Sequence, residues 1–590
     1  MAGQIRRREL LSLAAATLAT AGVAGLTALR RAGVSNGPRP NRPLSDARAP
    51  QSLVTDPEAL NIPLTSIPGY RPPTVVGPGS YTRPMTGPLG TMSWLDHDGG
   101  TINWQVYDQL GVPLARYEPA EKTAFGTGAA YTAVRGVLTF RGNNERNAPA
   151  YGTADVRRKK LEIVWTQGDG VSHSYGSVFP GSGWTGQPLL VNWPQETKVA
   201  MGLASKYVDD PDFIEVLQPA FDGKIYRLDL ATGAQTKPPI VSSGGFKGTG
   251  DVDPRGYPML YTGQGLNDND GTLIPWGYKA FNLITGQEVF RINGQDAVSH
   301  RPSWGAFDSS SIINAASDTL IQPGESGVIY KVKLNSAFDA ASKSMTIDPQ
   351  IVKMVYQSPS SNQYGIESSS AAYRNLMYAT DNDGNLLCWD ANTLQIIWTL
   401  DVNDNDDSTV SIDEAPDGVF LYNANSVGWR GSDRAGMVTN VRKIHALTGQ
   451  VMWEYDIPTY YNEAVKGGCE STPLVGQGEI GDLVIFTVAK TTSDAEGDLI
   501  AFDKATGKIV WDRHLDHYAW SSPITVTSTD GHQYGVFGDS GGLLHLFNPN
   551  TGEEYDAISL GGNVEASPSA YGDMIVVGSY AQKIFGVRVS

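Results

Sequence analysis

The chain has 590 residues, a formal net charge of -17 and an isoelectric point of about 4.9. An acidic surface repels phosphate groups, which disfavours nucleic acids and anionic membrane surfaces as partners. The 66 Gly, 26 Tyr and 13 Trp residues are typical of a chain with many short strands and tight turns. The two cysteines, Cys388 and Cys469, are expected to be buried thiols.

The N-terminus carries an export pattern. Arg7-Arg8-Glu9-Leu10-Leu11 resembles the R-R-x-x-L core of a twin-arginine signal, and an Ala- and Leu-rich run covers residues 10–29. A run of about 20 apolar residues can also span a bilayer. We therefore interpret residues 1–30 as a signal peptide or signal anchor, and expect a periplasmic or cell-surface location with residues 10–29 as an optional membrane tether.

Residues 31–134 are interpreted as a linker and N-terminal extension. The stretch from 31 to about 90 is rich in Pro, Gly, Ser and Thr, a composition typical of extended segments. Between residues 91 and 134, Trp94, Trp104 and Tyr107 supply aromatic surface that we expect to pack on the domain that follows.

A repeated phrase organises the rest of the chain. Its clearest copy is AFDKATGKIVW at 501–511, in which Gly507 suits the tight turn between two strands. Related copies recur at intervals of about 54 residues, or twice that interval, which is typical of propellers and solenoids. The turn threonines are Thr232, Thr285, Thr393, Thr448, Thr506 and Thr551. A degenerate copy is expected at 328–344, inside the double interval.

A second recurrence lies upstream of the turns. The steps WSSP (520–523), ESTP (470–473) and EASP (565–568) each precede an apolar run, with weaker copies at 185–188, 255–258 and 367–370. Each unit then reads as a four-stranded antiparallel blade of an all-β propeller. Residues 161–166 carry Trp165 without a turn, and Met574–Val589 lack a fourth strand. We predict that these N- and C-terminal strands pair and close a ring of eight blades.

The phrase A-x-D-x-x-T-G-x-x-x-W resembles the tryptophan-docking repeat of the quinoprotein (PQQ) eight-bladed propellers. The resemblance covers residues 135–590, and the segment 137–153, VLTFRGNNERNAPAYGT, is similar to the opening of that superfamily. It implies a PQQ-binding-like propeller in which Trp398, Trp453 and Trp511 are buried between blades.

Candidate site residues follow from the second recurrence, because the start of each inner strand faces the central funnel of a propeller. The predicted residues are Thr185, Arg255, Glu367, Glu470, Trp520 and Glu565, with Glu414 as an alternative register. Carboxylates, an arginine and a tryptophan around one axis can hold a cation or a polar ligand.

The resemblance implies a specific occupant for that funnel. In quinoprotein dehydrogenases the mouth holds PQQ with a Ca²⁺ ion, an arginine, a stacked tryptophan and an aspartate base. Glu367, Glu470, Arg255 and Trp520 match those roles in residue type. The sequence departs from the pattern in having no adjacent cysteines, no C-x-x-C-H haem motif and no assignable base, so we assign no catalytic residue.

A second candidate metal site is the acidic loop after residue 400. Asp401, Asn403, Asn405 and Asp407 alternate as ligands of a Ca²⁺ loop do. The sixth position is Asp406 rather than Gly, and Ile412 stands where the bidentate Glu belongs. The pattern is equally typical of an ordinary polar turn.

The sequence thus favours an exported propeller that acts as a binding or assembly scaffold for a protein partner or a small polar ligand. The alternative is a PQQ- and Ca²⁺-dependent dehydrogenase of alcohols or sugars. A propeller by itself does not decide between them. The sequence leans against catalysis but leaves both the enzyme question and the cofactor open.

Overall fold

The computed structural model describes residues 53, 56–72, 74–76, 89–93, 101–184, 186–357, 365–428, 437–460 and 466–590. The export segment 1–30, Trp94 and Thr185 lie outside these residues. Within them, the strands form eight antiparallel four-stranded blades around one axis, which confirms the predicted fold class. The blades are numbered below in chain order from residue 186.

Blades 1 to 4 come first along the chain. The strands of blade 1 are Leu189–Val191, Glu215–Pro219, Lys224–Asp229 and Ile240–Val241. Those of blade 2 are Asp251–Val252, Met259–Gly263, Gly277–Asn282 and Gln287–Asn293. Those of blade 3 are Ile312–Asn314, Thr319–Pro323, Val328–Lys333 and Gln350–Gln357. Those of blade 4 are Ala371–Tyr373, Leu376–Thr380, Asn385–Asp390 and Ile396–Asp401.

Blades 5 to 8 complete the ring. The strands of blade 5 are Ser411–Ala415, Gly418–Ala424, Val438–His445 and Val451–Pro458. Those of blade 6 are Leu474–Val475, Leu483–Ala489, Gly497–Asp503 and Ile509–Leu515. Those of blade 7 are Ile524–Ser528, Gln533–Gly538, Leu543–Phe547 and Glu554–Ser559. Those of blade 8 are Ser569–Tyr571, Met574–Ser579, Lys583–Val589 and, from the start of the propeller, Leu161–Gly168.

Helices are few and short among the described residues. The α-helices are Pro57–Leu60, Gln195–Ala200 and Ser205–Val208, and the 3₁₀ turns are Leu64–Ser66, Gly128–Ala130 and Gly478–Ile480. None of these helices is long and apolar enough to cross a membrane.

The antiparallel order gives the propeller two distinct faces. Each first strand starts at one face, which we call the mouth face, and ends at the other, which we call the turn face. The turns after the first and third strands therefore lie on the turn face. The loops after the second and fourth strands lie on the mouth face, where they can contribute to a site at the axis.

The T-G turns hold neighbouring blades together on the turn face. In blade 6, the backbone N–H and the hydroxyl of Thr506 both donate to Asp503 Oδ1, at 2.9 and 2.7 Å. Gly507 has φ +68°, and a Cβ there would lie 2.7 Å from the ring of Trp453 in blade 5. The indole N–H of Trp453 donates to the carbonyl of Lys504 at 3.0 Å. Glycine is therefore required at this position for two reasons: the backbone has a positive φ, and a side chain would collide with Trp453.

The same contact recurs elsewhere around the ring. The other indole N–H donors and their carbonyl acceptors are Trp165 to Leu230 (2.7 Å), Trp398 to Ala446 (3.1 Å) and Trp511 to Pro549 (3.0 Å). Trp165 and Trp398 are buried, with 7% and 4% of their surface exposed. Trp453 and Trp511 are only half-buried, so burial between blades is complete at Trp398 and partial at the other two predicted positions.

The ring closes as the sequence predicted. Leu161–Gly168 pairs antiparallel with Lys583–Val589 and supplies the missing fourth strand of blade 8. Gly586 lies opposite Trp165, and a Cβ at Gly586 would come within 2.0 Å of the indole. The absence of a side chain there lets the indole lie flat on the closing strand.

Blade 3 explains both the degenerate repeat and part of the N-terminal extension. A small hairpin, Ala337–Asp339 with Ser344–Thr346, replaces the T-G turn between its third and fourth strands. The fourth strand then pairs with Thr101–Asp108, which continues to Leu89–Ser93 and Thr74–Val76 in a seven-stranded sheet. Trp104 and Tyr107 are buried in this sheet. Part of the extension is therefore continuous with the propeller.

The inter-blade tryptophans give a matched pair of mutations. Trp398→Ala should lower the free energy of unfolding by about 3–5 kcal/mol, because it removes a buried indole and its hydrogen bond. Trp511→Ala should cost less, about 2 kcal/mol, because that indole is only partly buried. Thermal and denaturant unfolding of both variants measure the difference. Equal costs below about 1 kcal/mol would show that these contacts do not stabilise the ring.

Candidate ligand site at the axial mouth

A ring of side chains surrounds the axis at the mouth face. Each member stands at the same position on its blade, two residues before a serine or threonine that itself lies two residues before the first strand. The members of this mouth ring are Lys247, Asp308, Glu367, Asp407, Glu470, Trp520 and Glu565. The ring thus combines carboxyl groups with one lysine and one tryptophan.

The register of the mouth ring is set by hydrogen bonds between blades. Backbone N–H groups donate to a hydroxyl of the next blade, and the hydroxyls form a second ring below the first. The observed bonds are Gln187 to Thr249 (2.6 Å), Ser310 to Ser369 (2.9 Å), Ser369 to Thr409 (2.8 Å), Thr472 to Ser522 (3.0 Å) and Ser522 to Ser567 (3.2 Å). Equivalent residues of neighbouring blades therefore lie at the same height along the propeller axis.

The structure brings most of the predicted site residues to this ring. Glu367, Glu470, Trp520 and Glu565 all lie there. Sequence reasoning missed Lys247 and Asp308, and it assigned Asp407 to a Ca²⁺ loop rather than to this ring. These three residues occupy the equivalent positions in blades 2, 3 and 5. The serine or threonine two residues after each of them was a usable signal, because it is shared by all these blades.

Arg255 was placed wrongly by the sequence. It lies in the turn between the first and second strands of blade 2, on the turn face, and bonds to Asp253, Asp318 and Ser336. The step R-G-Y-P precedes the apolar second strand, whereas the first strand of this blade has only two residues, Asp251–Val252, and so shows no apolar run. The sequence analysis therefore took the second strand of blade 2 for its first strand, and placed Arg255 at the wrong end of the blade.

Glu414 is also on the turn face. It lies near the end of the first strand of blade 5 and is exposed. Glu145 lies beside it, and burial, followed by the proximity of Glu414, raises the pKa of Glu145 to about 8. This carboxyl pair is separate from the mouth.

One half of the mouth is an acid–lysine network. The ammonium group of Lys247 contacts Asp308 and lies 3.1 Å from Glu367 Oε2, with Trp184 beneath it at 5.0 Å. Burial acts to raise the pKa of Glu367, but the charges of Lys247 and Lys466 lower it to about 2. Burial raises the pKa of Asp308 to about 6, against the effect of Lys247. Lys247 thus neutralises two neighbouring carboxylates.

A second lysine neutralises the next part of the ring. Lys466 lies 2.5 Å from Asp407 Oδ2. Burial raises the pKa of Glu470 well above its usual range, and the nearby Asp407 and Glu367 act in the same direction against Lys466. Burial and the neighbouring carboxylates therefore favour the protonated form of Glu470.

Three carboxyl groups of this half come close enough for a metal ion. Oxygen atoms of Asp308, Glu325 and Glu367 lie within 4.8 Å of one another. Glu325 is 3% exposed, accepts a hydrogen bond from the Trp304 indole at 2.6 Å, and has its pKa raised by burial and by its acidic neighbours. Lys247 pairs with Asp308 and Glu367, so two of these groups already have a cationic partner.

The other half of the mouth is aromatic. Tyr518 and Trp520 have ring centroids 5.3 Å apart, and Tyr580 stacks with Trp184 at 6.4 Å. Glu565 sits within this arc and is bonded by neutral groups, the Tyr580 hydroxyl and, at 2.7 Å, the Asn563 amide. Burial raises the pKa of Glu565 to about 7, although both hydrogen bonds act to lower it.

The floor below the mouth is closed by residues 136–154, which we call the axial segment. It contacts every blade, as shown by one contact for each of blades 1 to 8: Val137 with Leu190, Leu138 with Val252, Arg146 with Ser311, Asn144 with Ala372, Glu145 with Ile412, Arg141 with Pro473, Arg141 with Pro523, and Ala150 with Ala570. The cavity above it has an open volume of about 360 Å³ and reaches down to Phe140. The mouth is therefore a shallow polar cup.

The acidic loop at 401–407 divides its side chains between separate contacts. The Asn403 amide donates to Asn440 at 2.7 Å, and the Asn405 amide donates to Asp407 at 2.9 Å. Asp407 belongs to the mouth ring and pairs with Lys466. The Ca²⁺ loop stays a sequence prediction. One of its four predicted ligands, Asp407, is instead paired with Lys466 in the mouth ring.

Comparisons with known proteins agree with the architecture. Residues 495–588, in blades 6 to 8, match the PQQ_2 family model, described as outer membrane protein assembly factor BamB. A search of curated proteins by sequence found no match. The eight-bladed ring and the family-model match make the chain similar to the PQQ-binding-like propellers, as the repeat in the sequence indicated.

Solved structures with a similar chain trace include a BamB and two quinohemoprotein alcohol dehydrogenases. BamB from Moraxella catarrhalis is 16% identical, with a TM-score of 0.42 over 63% of this chain and 93% of that one. Quinohemoprotein alcohol dehydrogenase ADHIIG from Pseudomonas putida HK5 is 11% identical, with a TM-score of 0.49 over 77% and 80%. The quinohemoprotein alcohol dehydrogenase from Comamonas testosteroni is 14% identical, with a TM-score of 0.48 over the same shares.

The mouth residues do not fit PQQ. PQQ is a flat tricarboxylate, and its recognition requires cationic groups that are free to pair with it. Lys247 and Lys466 are already paired with ring carboxylates, and the remaining ring members are mainly acidic. Cys388 and Cys469 are free and buried rather than adjacent. The charges would repel the quinone rather than hold it.

The buried Glu565 predicts a pH-dependent stability. Its pKa is about 7 in the folded protein and about 4.3 in an unfolded chain, so the folded state holds more protons between these values. Stability should therefore fall as pH rises from about 5 to 8. Glu565→Gln should match the native chain at pH 5 and exceed it at pH 8 by on the order of 1–3 kcal/mol. Thermal unfolding at both pH values measures this, and an equal difference at both would contradict the burial effect.

Proposed function

We propose that the protein is an exported binding scaffold whose mouth ring is its recognition surface. The observation that carries the proposal is the shallow polar cup itself: carboxyl and hydroxyl groups of successive blades line one cavity at the axis, above a floor closed by the axial segment. Concave sites with a few convergent polar groups are typical of ligand recognition. The ligand is a protein partner or a small polar molecule.

Export is supported by the N-terminal sequence. Arg7-Arg8-Glu9-Leu10-Leu11 and the apolar residues 10–29 fit transport across a membrane, with the mature propeller in the periplasm or at the cell surface. The run acts either as a cleaved signal or as a retained tether. A role in assembly is supported by the match of residues 495–588 to a model named for an assembly factor.

The second candidate function is a PQQ- and Ca²⁺-dependent dehydrogenase of alcohols or sugars. One specific observation favours it, namely the approach of Asp308, Glu325 and Glu367 oxygens to within 4.8 Å. Hard cations prefer such oxygen clusters. The pairing of Lys247 with two of these carboxylates weakens the case.

Reconstitution with PQQ and Ca²⁺ separates the two candidates. After dialysis, the protein should retain no quinone absorption band and should not oxidise alcohols or sugars with a dye acceptor, because the acidic mouth repels the cofactor. Turnover that is lost in Glu367→Ala and Glu470→Ala, and kept in Glu553→Gln on the turn face, would establish the dehydrogenase instead.

Site-specific photo-crosslinking tests the scaffold directly. Leu273 lies in a hairpin on the mouth face and is 70% exposed, whereas Leu110 lies at the turn face and is 82% exposed. A photoreactive residue at 273 in the exporting cell should give a discrete crosslinked partner, and one at 110 should not. Identical patterns at both positions would argue against recognition at the mouth.

A further inference from the structure

The mouth already binds one ammonium group, and it is part of the chain. Lys247 is held by Asp308 and by Glu367 at 3.1 Å, and its ammonium group lies 5.0 Å from the ring centre of Trp184. Carboxylates and an aromatic face are the groups that recognise organic cations. This tethered ammonium shows which chemistry the mouth favours.

The opposite half of the mouth offers the same groups. Glu470, Trp520 and Glu565 stand at equivalent positions on blades 6, 7 and 8, and the hydroxyl ring below holds these blades level. Tyr518 and Tyr580 extend the aromatic surface around Glu565. The combination of carboxyl groups and aromatic rings therefore occurs a second time in the mouth ring, on blades 6 to 8.

Buried polar atoms in this half lack hydrogen-bond partners among the described residues. They are the acceptors Glu470 Oε1 and Asn563 Oδ1 and the donor Trp520 Nε1. Trp520 is only 8% exposed. Buried polar groups are nearly always paired in folded proteins, so Glu470 Oε1 and Trp520 Nε1 point to a ligand that donates to a carboxyl oxygen and accepts from an indole. Asn563 Oδ1 offers a further acceptor beside Glu565.

The charge state of the two carboxyl groups agrees with a cationic ligand. Burial raises the pKa of Glu470 well above its usual range and that of Glu565 to about 7. Asp407, Glu367 and Lys466 face Glu470, while Tyr580, Asn563 and Lys247 face Glu565. A cation between the two would stabilise their ionised forms.

We propose that Glu470, Trp520 and Glu565 bind a primary ammonium group with an oxygen acceptor a few bonds away. The ammonium donates to the carboxyl groups over the faces of Tyr518 and Tyr580, and the oxygen accepts from the Trp520 indole. The amino terminus of a peptide and a small amino compound both have this chemistry. The inference rests on the proposed binding function and names its ligand class.

Binding of small probes to the full-length protein tests the ligand chemistry. Glycinamide carries the ammonium and the carbonyl oxygen, N-acetylglycinamide lacks the ammonium, and ethylammonium lacks the acceptor. Calorimetry and tryptophan fluorescence should show binding of glycinamide, weaker binding of ethylammonium and none of N-acetylglycinamide. Equal binding of glycinamide and its acetylated form, or no binding of either, would overturn the proposal.

Variants assign the binding to the named side chains. Glu565→Gln should weaken glycinamide about tenfold, because it replaces a charge-assisted hydrogen bond by a neutral one. Trp520→Phe keeps an aromatic ring but removes the indole N–H donor, and should weaken glycinamide binding about fivefold. Glu553→Gln, an exposed glutamate in a turn of blade 7, is the matched control and should bind normally. Native affinity in both mouth variants would overturn the assignment.

A peptide arm identifies the source of the ammonium. Tetraglycine amide with a free amino terminus should bind at least as tightly as glycinamide if the mouth accepts a chain terminus, and its N-acetyl form should not bind. Binding of glycinamide alone would support a small amino compound as the ligand. Loss of all probe binding, together with retained crosslinks from residue 273, would reject this inference and leave the scaffold function standing.

Discussion

The pairing of Leu161–Gly168 with Lys583–Val589 is the interaction on which the rest of the structure depends. Without it, blade 8 would have three strands, Lys583–Val589 would be an unpaired outer edge, and the ring would be open. Closure fixes the relative height of all first strands, which the hydroxyl ring then holds through backbone N–H bonds between blades. The mouth ring exists only because side chains from distant parts of the chain are brought level.

Bringing so many acidic side chains to one axis creates an electrostatic cost, which the protein offsets in two ways. Lys247 and Lys466 place ammonium groups between carboxylates on one side. On the other side, burial raises the pKa of Glu470 and that of Glu565, which favours their protonated forms. The mouth is thus electrically uneven, with a neutralised half and a half that retains capacity for a cation.

The axial segment gives the mouth its depth. Arg141 and Arg146 reach carbonyl groups of blades 3, 4, 6 and 7 from the centre of the ring. Burial lowers the pKa of Arg141 to about 9, and Asp251 offsets the burial of Arg146. Both side chains act as internal braces that saturate backbone acceptors at the axis. Because these two arginines and their segment fill the axis, the mouth is a closed cup and not an open channel.

The sequence by itself determined the blade architecture, because the signals for it are local. Asp503, Thr506 and Gly507 build their turn with their nearest neighbours, and Trp165 without a turn revealed the closing strand. The site was only partly predictable. Glu367 and Glu470 carried the repeat signature, but Arg255 was assigned to the wrong strand because the first strand of blade 2 has only two residues and shows no apolar run. Pairing between Lys247, Asp308 and Glu367 joins three blades, so only the tertiary structure decided where the charges at the axis are neutralised.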